Sequence, residues 1–468
     1  SFLFVAPFSL TSCDSWLDVV PEDRISETVV FDSQKGYQKL LNGLYSGMTS
    51  TSLYGRNLSA GAVDVLAQYY NGTATNGVYY YLVKFDYAAE YSKNLISAIW
   101  GNAYETISNA NTLIEHIESA DCPLIDREKK RMKGEALAVR AFIHFDLLRL
   151  FGPVPSQLSE LAIPYYQTSA ELTVQPFETG TQILGKIKAD LTEAIGLLKE
   201  SEPLIIPDKY EAGDLESRPY CMNYYAAKAV LARVYLWEGN KTEAYTTAVE
   251  VINDGSADFP FVTEGEATGA EPDRLFTSEI LFGLYNTSRE TELYNALFSP
   301  ALQGYQRLAP AGSLGSGRLG EWYDDQNDYR YKIWAVDQEN LYHQKYRAID
   351  SETRTNYTVP LIRMGEMYLI AAECATDVET AATWLNTLRN HHNCFSAEVN
   401  ADNLANYILL EYRKELLGEG QLFYYMKRNA MELIPDGNKE GGNKAIELGS
   451  YVLPLPDGET SMREGLDK

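Results

Sequence analysis

RMKGEALAVRAFIHFDLLRLFGPVP, residues 131–155, reads as one long helix with an abrupt end. Leu137, Ala141, Phe145 and Leu148 recur at spacings of three and four, and Ala138 and Phe142 widen the stripe, so one face is apolar over several turns. Gly152, Pro153 and Pro155 then stop the helix. Gly134, Ala136, Ala138 and Ala141 let a neighbouring helix come close, while Glu135, Arg140, Asp146 and Arg149 set charge beside the packed face. Such charges need partners where water is excluded. Arg140, flanked by Ala and Phe, is therefore expected to be buried against a carboxylate.

Around this helix the chain supplies 468 residues, 45% of them hydrophobic, enough for a large core. A formal net charge of −25, with no basic arm or stripe, repels phosphate backbones, so nucleic acid is not an expected partner. The 34 tyrosines are unusual. Tyrosine offers flat apolar surface with a polar tip, which suits helix packing and equally suits binding faces that stay partly wet.

Helical periodicity recurs along the chain. Residues 35–48 and 95–117 carry it, the second with Ile99, Ala103, Ile107, Ala110 and Ile114 on one face, and the two are expected to pair. Ile183, Ile187, Leu191, Ala194, Ile195 and Leu198 mark a helix that should pack back on the opening stretch. Within 220–254, Leu231, Ala232, Tyr235, Gly239, Ala244, Ala248 and Val251 fall on the small and large positions of a tetratricopeptide repeat, with Gly239 at the turn. Residues 361–390 repeat the idea with Tyr368, Ala371, Ala372, Ala381, Ala382, Leu385 and Leu388. The expected fold is mainly α: about four tetratricopeptide-like helix pairs, dispersed rather than forming a continuous solenoid, with long irregular insertions forming a ligand-facing lobe. One insertion, 51–91, is rich in Gly, Asn, Ser and Tyr. The other, 255–358, is mixed, with a short buried strand at Glu279, Ile280, Leu281 and Phe282 and a Gly-rich loop at 312–320. Long irregular insertions of this kind are commonly functional.

The first residues hold a short apolar run, Phe2, Leu3, Phe4, Val5 and Phe8, well under the ~20 residues a membrane span needs. Leu10-Thr11-Ser12-Cys13 follows and matches a lipobox, which makes Cys13 the expected lipidation site and residues 1–12 the remnant of an export signal. Residues 13–468 then form a single domain, with 13–270 and 271–468 as its two parts. The other cysteines are Cys122, Cys221, Cys374 and Cys394. Cys374 and Cys394 lie at far ends of a helix pair, ~20 Å apart at 1.5 Å per residue, whereas a disulfide needs Cα atoms within roughly 7 Å. Free, mostly buried thiols are expected.

Catalytic patterns are scarce. The adjacent His391 and His392 point to different sides of a helix, unlike the spacing of a zinc site. Neither G-x-S-x-G nor a P-loop occurs. Asp324, Asp325, Asn327 and Asp328 lack the Gly and distal Glu of an EF-hand, so they read as a solvated acidic turn. No metal and no cofactor are expected.

The opening stretch also carries a resemblance. Gly134, Glu135 and Ala136, then Arg140, Ala141 and Phe142, then Phe145, Asp146, Leu147, Arg149, Leu150, Phe151, Gly152, Val154 and Pro155 resemble the signature of the SusD/RagB family, surface glycan-binding lipoproteins that work with outer-membrane importers. Trp16, Leu17, Asp18 and Pro21 are similar to the family's mature start. A second signature lies at 411–428: Glu411, Arg413, Glu415, Leu416, Glu419, Gly420, Phe423, Lys427 and Arg428 match, while Leu422 and Tyr425 depart from the frequent Arg and Asp. The resemblance implies that Asp328 and Arg330 form a structural salt bridge. It implies a non-catalytic, lipid-anchored protein of the outer-membrane surface that captures oligosaccharides and delivers them to a TonB-dependent transporter. A helical-repeat scaffold that binds only protein and a glycan-active enzyme stay open as alternatives.

Sugar rings stack their C–H faces on aromatics, and their hydroxyls need amides, carboxylates or guanidinium groups. The insertions offer that mixture. Tyr69, Tyr70, Asn71 and Asn76 lie in one, where Tyr79 and Tyr81 would share a face if the chain is extended. Trp322 and Tyr323 follow the Gly-rich loop of the other, with Tyr294 upstream. Trp322 is expected as the main platform, with Tyr70 and Tyr323 beside it and Asn71 or Asn76 supplying hydrogen bonds. Core packing is the competing role for each aromatic, and burial decides between the two.

Overall fold

The computed structural model describes residues 31–169, 174–351 and 353–464; Cys13, the apolar run before it and Trp16, Leu17, Asp18 and Pro21 lie outside the described residues. Four helix pairs carry the architecture. α1 (Gln34–Met48) packs on α2 (Glu90–Glu118), α3 (Asp126–Phe151) on α4 (Gly180–Ser201), α5 (Tyr224–Glu238) on α6 (Lys241–Gly255), and α7 (Met364–Cys374) on α8 (Val378–His391). Successive pairs also touch, α2 on α3, α4 on α5 and α6 on α7. The helix pairs are thus dispersed in sequence, as expected, and adjoin one another in space. The apolar face of α6 needs cover, and α7 supplies it once the chain between them loops away.

Local chemistry fixes the pairs. A reciprocal cap between Thr179 and Gln182 opens α4, and Asn223 and Asn240 cap α5 and α6. Gly239 ends α5 at φ 85°, the left-handed conformation that glycine adopts freely, and lets α6 begin two residues on. At the α3–α4 crossing a Cβ on Gly134 would stand 2.9 Å from the Leu198 side chain and 3.2 Å from the Ala194 carbonyl. Gly134→Val is expected to lower stability by about 1–3 kcal/mol through overpacking, read as a lower urea midpoint. Arg140, 4% exposed, donates from Nε and Nη2 to the two oxygens of Asp190, each at 2.7 Å. The expected buried ion pair thus ties α3 to α4.

The strands are short. β1 (Leu161–Ile163) pairs with β2 (Glu178–Thr179); β3 (Ile280–Tyr285) pairs antiparallel with β6 (Thr358–Arg363); β4 (Trp334–Asp337) with β5 (Asn340–His343) and β7 (Leu433–Pro435) with β8 (Asn443–Ala445) are hairpins. β3 fulfils the expected buried strand, and its pairing with β6 closes the base of the large insertion. The main hydrophobic core extends from Tyr37 to Leu453, beside a small second cluster of Val262, Phe276 and Tyr329. Cys122, Cys374 and Cys394 are buried free thiols and Cys221 is a half-buried one. Among the described residues no helix is long and apolar enough to cross a membrane.

Candidate functional site

The closing signature forms a buried ionic frame. Glu411 and Glu415 lie on α9 (Leu404–Glu415), with Glu419 one turn beyond. Arg330 donates to Asp328 and Glu415 and lies 2.8 Å from Glu411. Arg389 and Lys414 hold Glu411 together with Asp324. Arg363 reaches Glu415 and Glu419, each at 2.7 Å, and Lys345 reaches Glu419 at 2.6 Å. The salt bridge implied for Asp328 and Arg330 is present and belongs to this larger set. Glu279, His392 and Glu415 stand close enough to suggest a cation, yet Arg363 and Arg330 already take these carboxylates. These carboxylates are thus neutralised within the ionic frame.

This frame grips the first insertion. Asp64, fully buried in the short helix Ala62–Leu66, accepts hydrogen bonds from the N–H groups of Gly418 at 2.7 Å and Gly420 at 3.0 Å. Both glycines have positive φ, and a Cβ on Gly420 would stand 2.5 Å from the Leu58 carbonyl. Burial pushes the Asp64 carboxyl from 3.8 up to about 8 despite the two N–H donors. The folded state therefore holds this proton between those values while the unfolded chain has released it, and stability falls as pH rises through that window. Asp64→Asn is expected to remove that part of the slope, seen by comparing urea midpoints at pH 5 and pH 8.

The two insertions meet at a cleft of about 280 Å³ lined by Tyr70 to Ala74, Gly77 to Tyr80, Gly304, Tyr305, Arg307 to Gly312, Glu339 and Leu341. Asn71 N–H donates to the Ala309 carbonyl at 2.8 Å. A Cβ at Gly77 would lie 3.1 Å from the Tyr305 carbonyl, so glycine permits the close approach. Tyr305 is 45% exposed. Tyr80 is half-buried, with Lys84 Nζ 3.4 Å from the centre of its ring. Arg307 is spent on scaffold, donating to Leu341 O, Leu302 O and Asn340 Oδ1 and so fixing the β4–β5 hairpin to the cleft wall. Asn71 Oδ1 accepts from Thr73, and no described residue bonds its Nδ2.

Burial corrects most of the expected platforms. Trp322 is 2% exposed at the end of a short helix, Gly317–Trp322, that starts inside the run read as loop. Its ring meets Tyr69 edge-on at 5.5 Å and lies under Arg413. Tyr69 donates to Arg413 O, Tyr323 accepts from Trp334 Nε1, and Tyr294 is 5% exposed. These four brace the core and offer no face to a ligand. Tyr70 and Tyr79 line the cleft but are buried, Tyr70 against His343 and Tyr79 bonded to Asn57. Asn71 lines the cleft and is exposed; Asn76 and Tyr81 are exposed outside its lining. The chain at 78–81 is turn, not extended, so Tyr80 faces the cleft where alternation favoured its neighbours. Tyr80, Tyr305 and Glu339 escaped sequence reasoning; a tyrosine beside Gly304 in a loop was the available signal for one of them.

The insertions of a helical-repeat scaffold thus join at a cleft that offers aromatic and amide groups. Residues 15–236 match a family model described as "Starch-binding associating with outer membrane", and residues 286–467 match the SusD family model. This chain belongs to the SusD/RagB family, whose members bind carbohydrate. SusD-like protein P2 of Formosa agariphila is 24% identical, over 96% of this chain and 95% of the relative. A SusD superfamily crystal structure from Bacteroides thetaiotaomicron shares 25% identity with a TM-score of 0.71, covering 91% of this chain and 97% of that one. Surface glycan-binding protein A from the same species has the fold at 16% identity, TM-score 0.67, with 93% and 98% covered. The first family description points to the outer membrane.

Proposed function

We propose that the chain is a non-catalytic surface lipoprotein that captures oligosaccharides in the cleft between its two insertions and hands them to a TonB-dependent outer-membrane transporter. The observation that carries the reading is the junction of two tyrosine-bearing loops, held by the hydrogen bond from Asn71 to Ala309, with Tyr305 open for stacking, Tyr80 half-buried in the same lining and the Asn71 amide free to bond a hydroxyl. Glu339 is the one carboxylate among the described lining residues. Glycoside hydrolysis ordinarily uses two carboxyl groups across the bond, so the lining suits capture better than cleavage. Trp322, Tyr323, Tyr69 and Tyr294 serve as bracing behind the site.

Calorimetric titration of a panel of neutral oligosaccharides is expected to find at least one that binds and is recovered uncleaved. If none binds, or if the bound glycan is hydrolysed, the reading fails. Lipidation rests on the Leu10 to Cys13 tetrad. Cys13→Ala is expected to abolish labelling by a fatty-acid analogue and release the protein from membranes; membrane retention of the variant would refute the anchor.

A further inference from the structure

Five residues that line one small cavity each carry a buried polar atom without a protein partner among the described residues. Arg149 Nε, Arg233 Nη1, the indole N–H of Trp237 and the hydroxyls of Tyr412 and Tyr424 are each sealed from solvent and unbonded. All five residues are at least nine-tenths buried and line a cavity of about 30 Å³. It sits where α3 and α5 meet α9 and α10 (Leu422–Arg428). Buried polar groups normally find partners, and a cluster that does not calls for a guest.

The neighbouring acceptors are already taken. Arg149 gives Nη1 to Gln421 Oε1 at 3.0 Å and Nη2 to Asp146. Arg233 gives Nε to Glu366 Oε1 at 2.6 Å and Nη2 to Leu361 O at 2.7 Å. Arg428 donates to both oxygens of Glu373. What remains is almost entirely hydrogen: the guanidinium and indole groups can only donate. Burial raises both tyrosines above their ordinary range, so their phenols stay protonated and can donate too. A water must itself donate two hydrogens, and the phenol oxygens left to take them carry hydrogens of their own that would then stay unmet, whereas an anion takes donors alone. Size restricts the guest further. A water-sized guest needs ~10–15 Å³ by this measure, so the cavity holds one or two such atoms and no sugar ring.

We infer that this cavity binds a small monovalent anion of the halide class, clipping the helix of the opening signature to that of the closing one. The three arginines around it are matched by Asp146, Glu366 and Glu373, so hydrogen bonds rather than net charge hold the guest, and affinity in the millimolar range is expected.

The test uses the whole protein with bromide as probe. Crystals soaked in sodium bromide are expected to show an anomalous peak in hydrogen-bond contact with Arg149, Arg233 and Trp237. Thermal unfolding in sodium bromide or chloride should move to higher temperature, saturably, relative to sodium gluconate of equal ionic strength, whose anion is too large to enter. Tyr412→Phe with Tyr424→Phe, which keeps both rings, should weaken the peak and shrink the halide shift. Density that refines as water in bromide, or a halide shift unchanged in the double variant, overturns the assignment. Should the double variant not fold, the wild-type bromide map decides alone.

Discussion

Arg363→Met is expected to lower the unfolding free energy by about 3–5 kcal/mol, the usual loss when one member of a buried ion pair is removed. Arg363 is 1% exposed and sits at the end of β6, where its guanidinium serves Glu419, Glu415 and Glu279 at once and also donates to the Glu415 carbonyl. Methionine fills similar space but leaves those carboxylates short of a cation. Against a total stability of roughly 5–15 kcal/mol, the urea midpoint should drop steeply with an unchanged slope. The pH dependence adds a second check. Burial pushes the Glu415 carboxyl up, but Arg363, His392 and Arg330 outweigh it and hold the group well below the ordinary value of 4.5. A depressed folded pKa stabilises fully above the unfolded value and is lost as pH falls through the folded one. The gap between wild type and variant should therefore be widest near pH 7 and narrow below pH 4.5. A gap of the same size at both pH values would mean that Arg363 acts through packing.

Periodicity is why so much of the scaffold was legible. Gly134, Arg140 and Gly239 announced a close crossing, a buried charge and a turn, because each is set by neighbours within a few residues on a helix. The partners were not legible. Arg330 finds Glu411 and Glu415 across more than eighty residues, and Asp64 finds Gly418 and Gly420 across more than three hundred and fifty. No local pattern encodes such meetings. The cleft suffered for the same reason. Whether an aromatic in a loop faces solvent depends on what lands on it, and Trp322 is covered by Tyr69 from an insertion some two hundred and fifty residues away. Loop composition located the two segments that meet, while the identity of the exposed rings came only with the fold.

That distinction yields a crossed prediction. Trp322→Ala empties a packed site between Tyr69, Trp334 and Arg413, so it is expected to cost about 3–5 kcal/mol of stability, as large aromatic truncations in cores do. Tyr305→Ala removes a ring that is 45% exposed and should leave stability within about 0.5 kcal/mol. Affinity should respond the other way. Combining Tyr80→Ala with Tyr305→Ala removes the two cleft tyrosines that are not fully buried and is expected to weaken oligosaccharide binding at least about tenfold, ~1.4 kcal/mol, while the protein unfolds at close to the wild-type temperature. Any loss in Trp322→Ala should instead scale with its unfolded fraction and recover when the assay is cooled toward its temperature of maximum stability. Calorimetric titration and thermal unfolding of the same three preparations read both quantities. A folded Trp322→Ala that binds no saccharide, beside a Tyr80, Tyr305 double variant that binds normally, would move the site away from the cleft and back to the buried tryptophan.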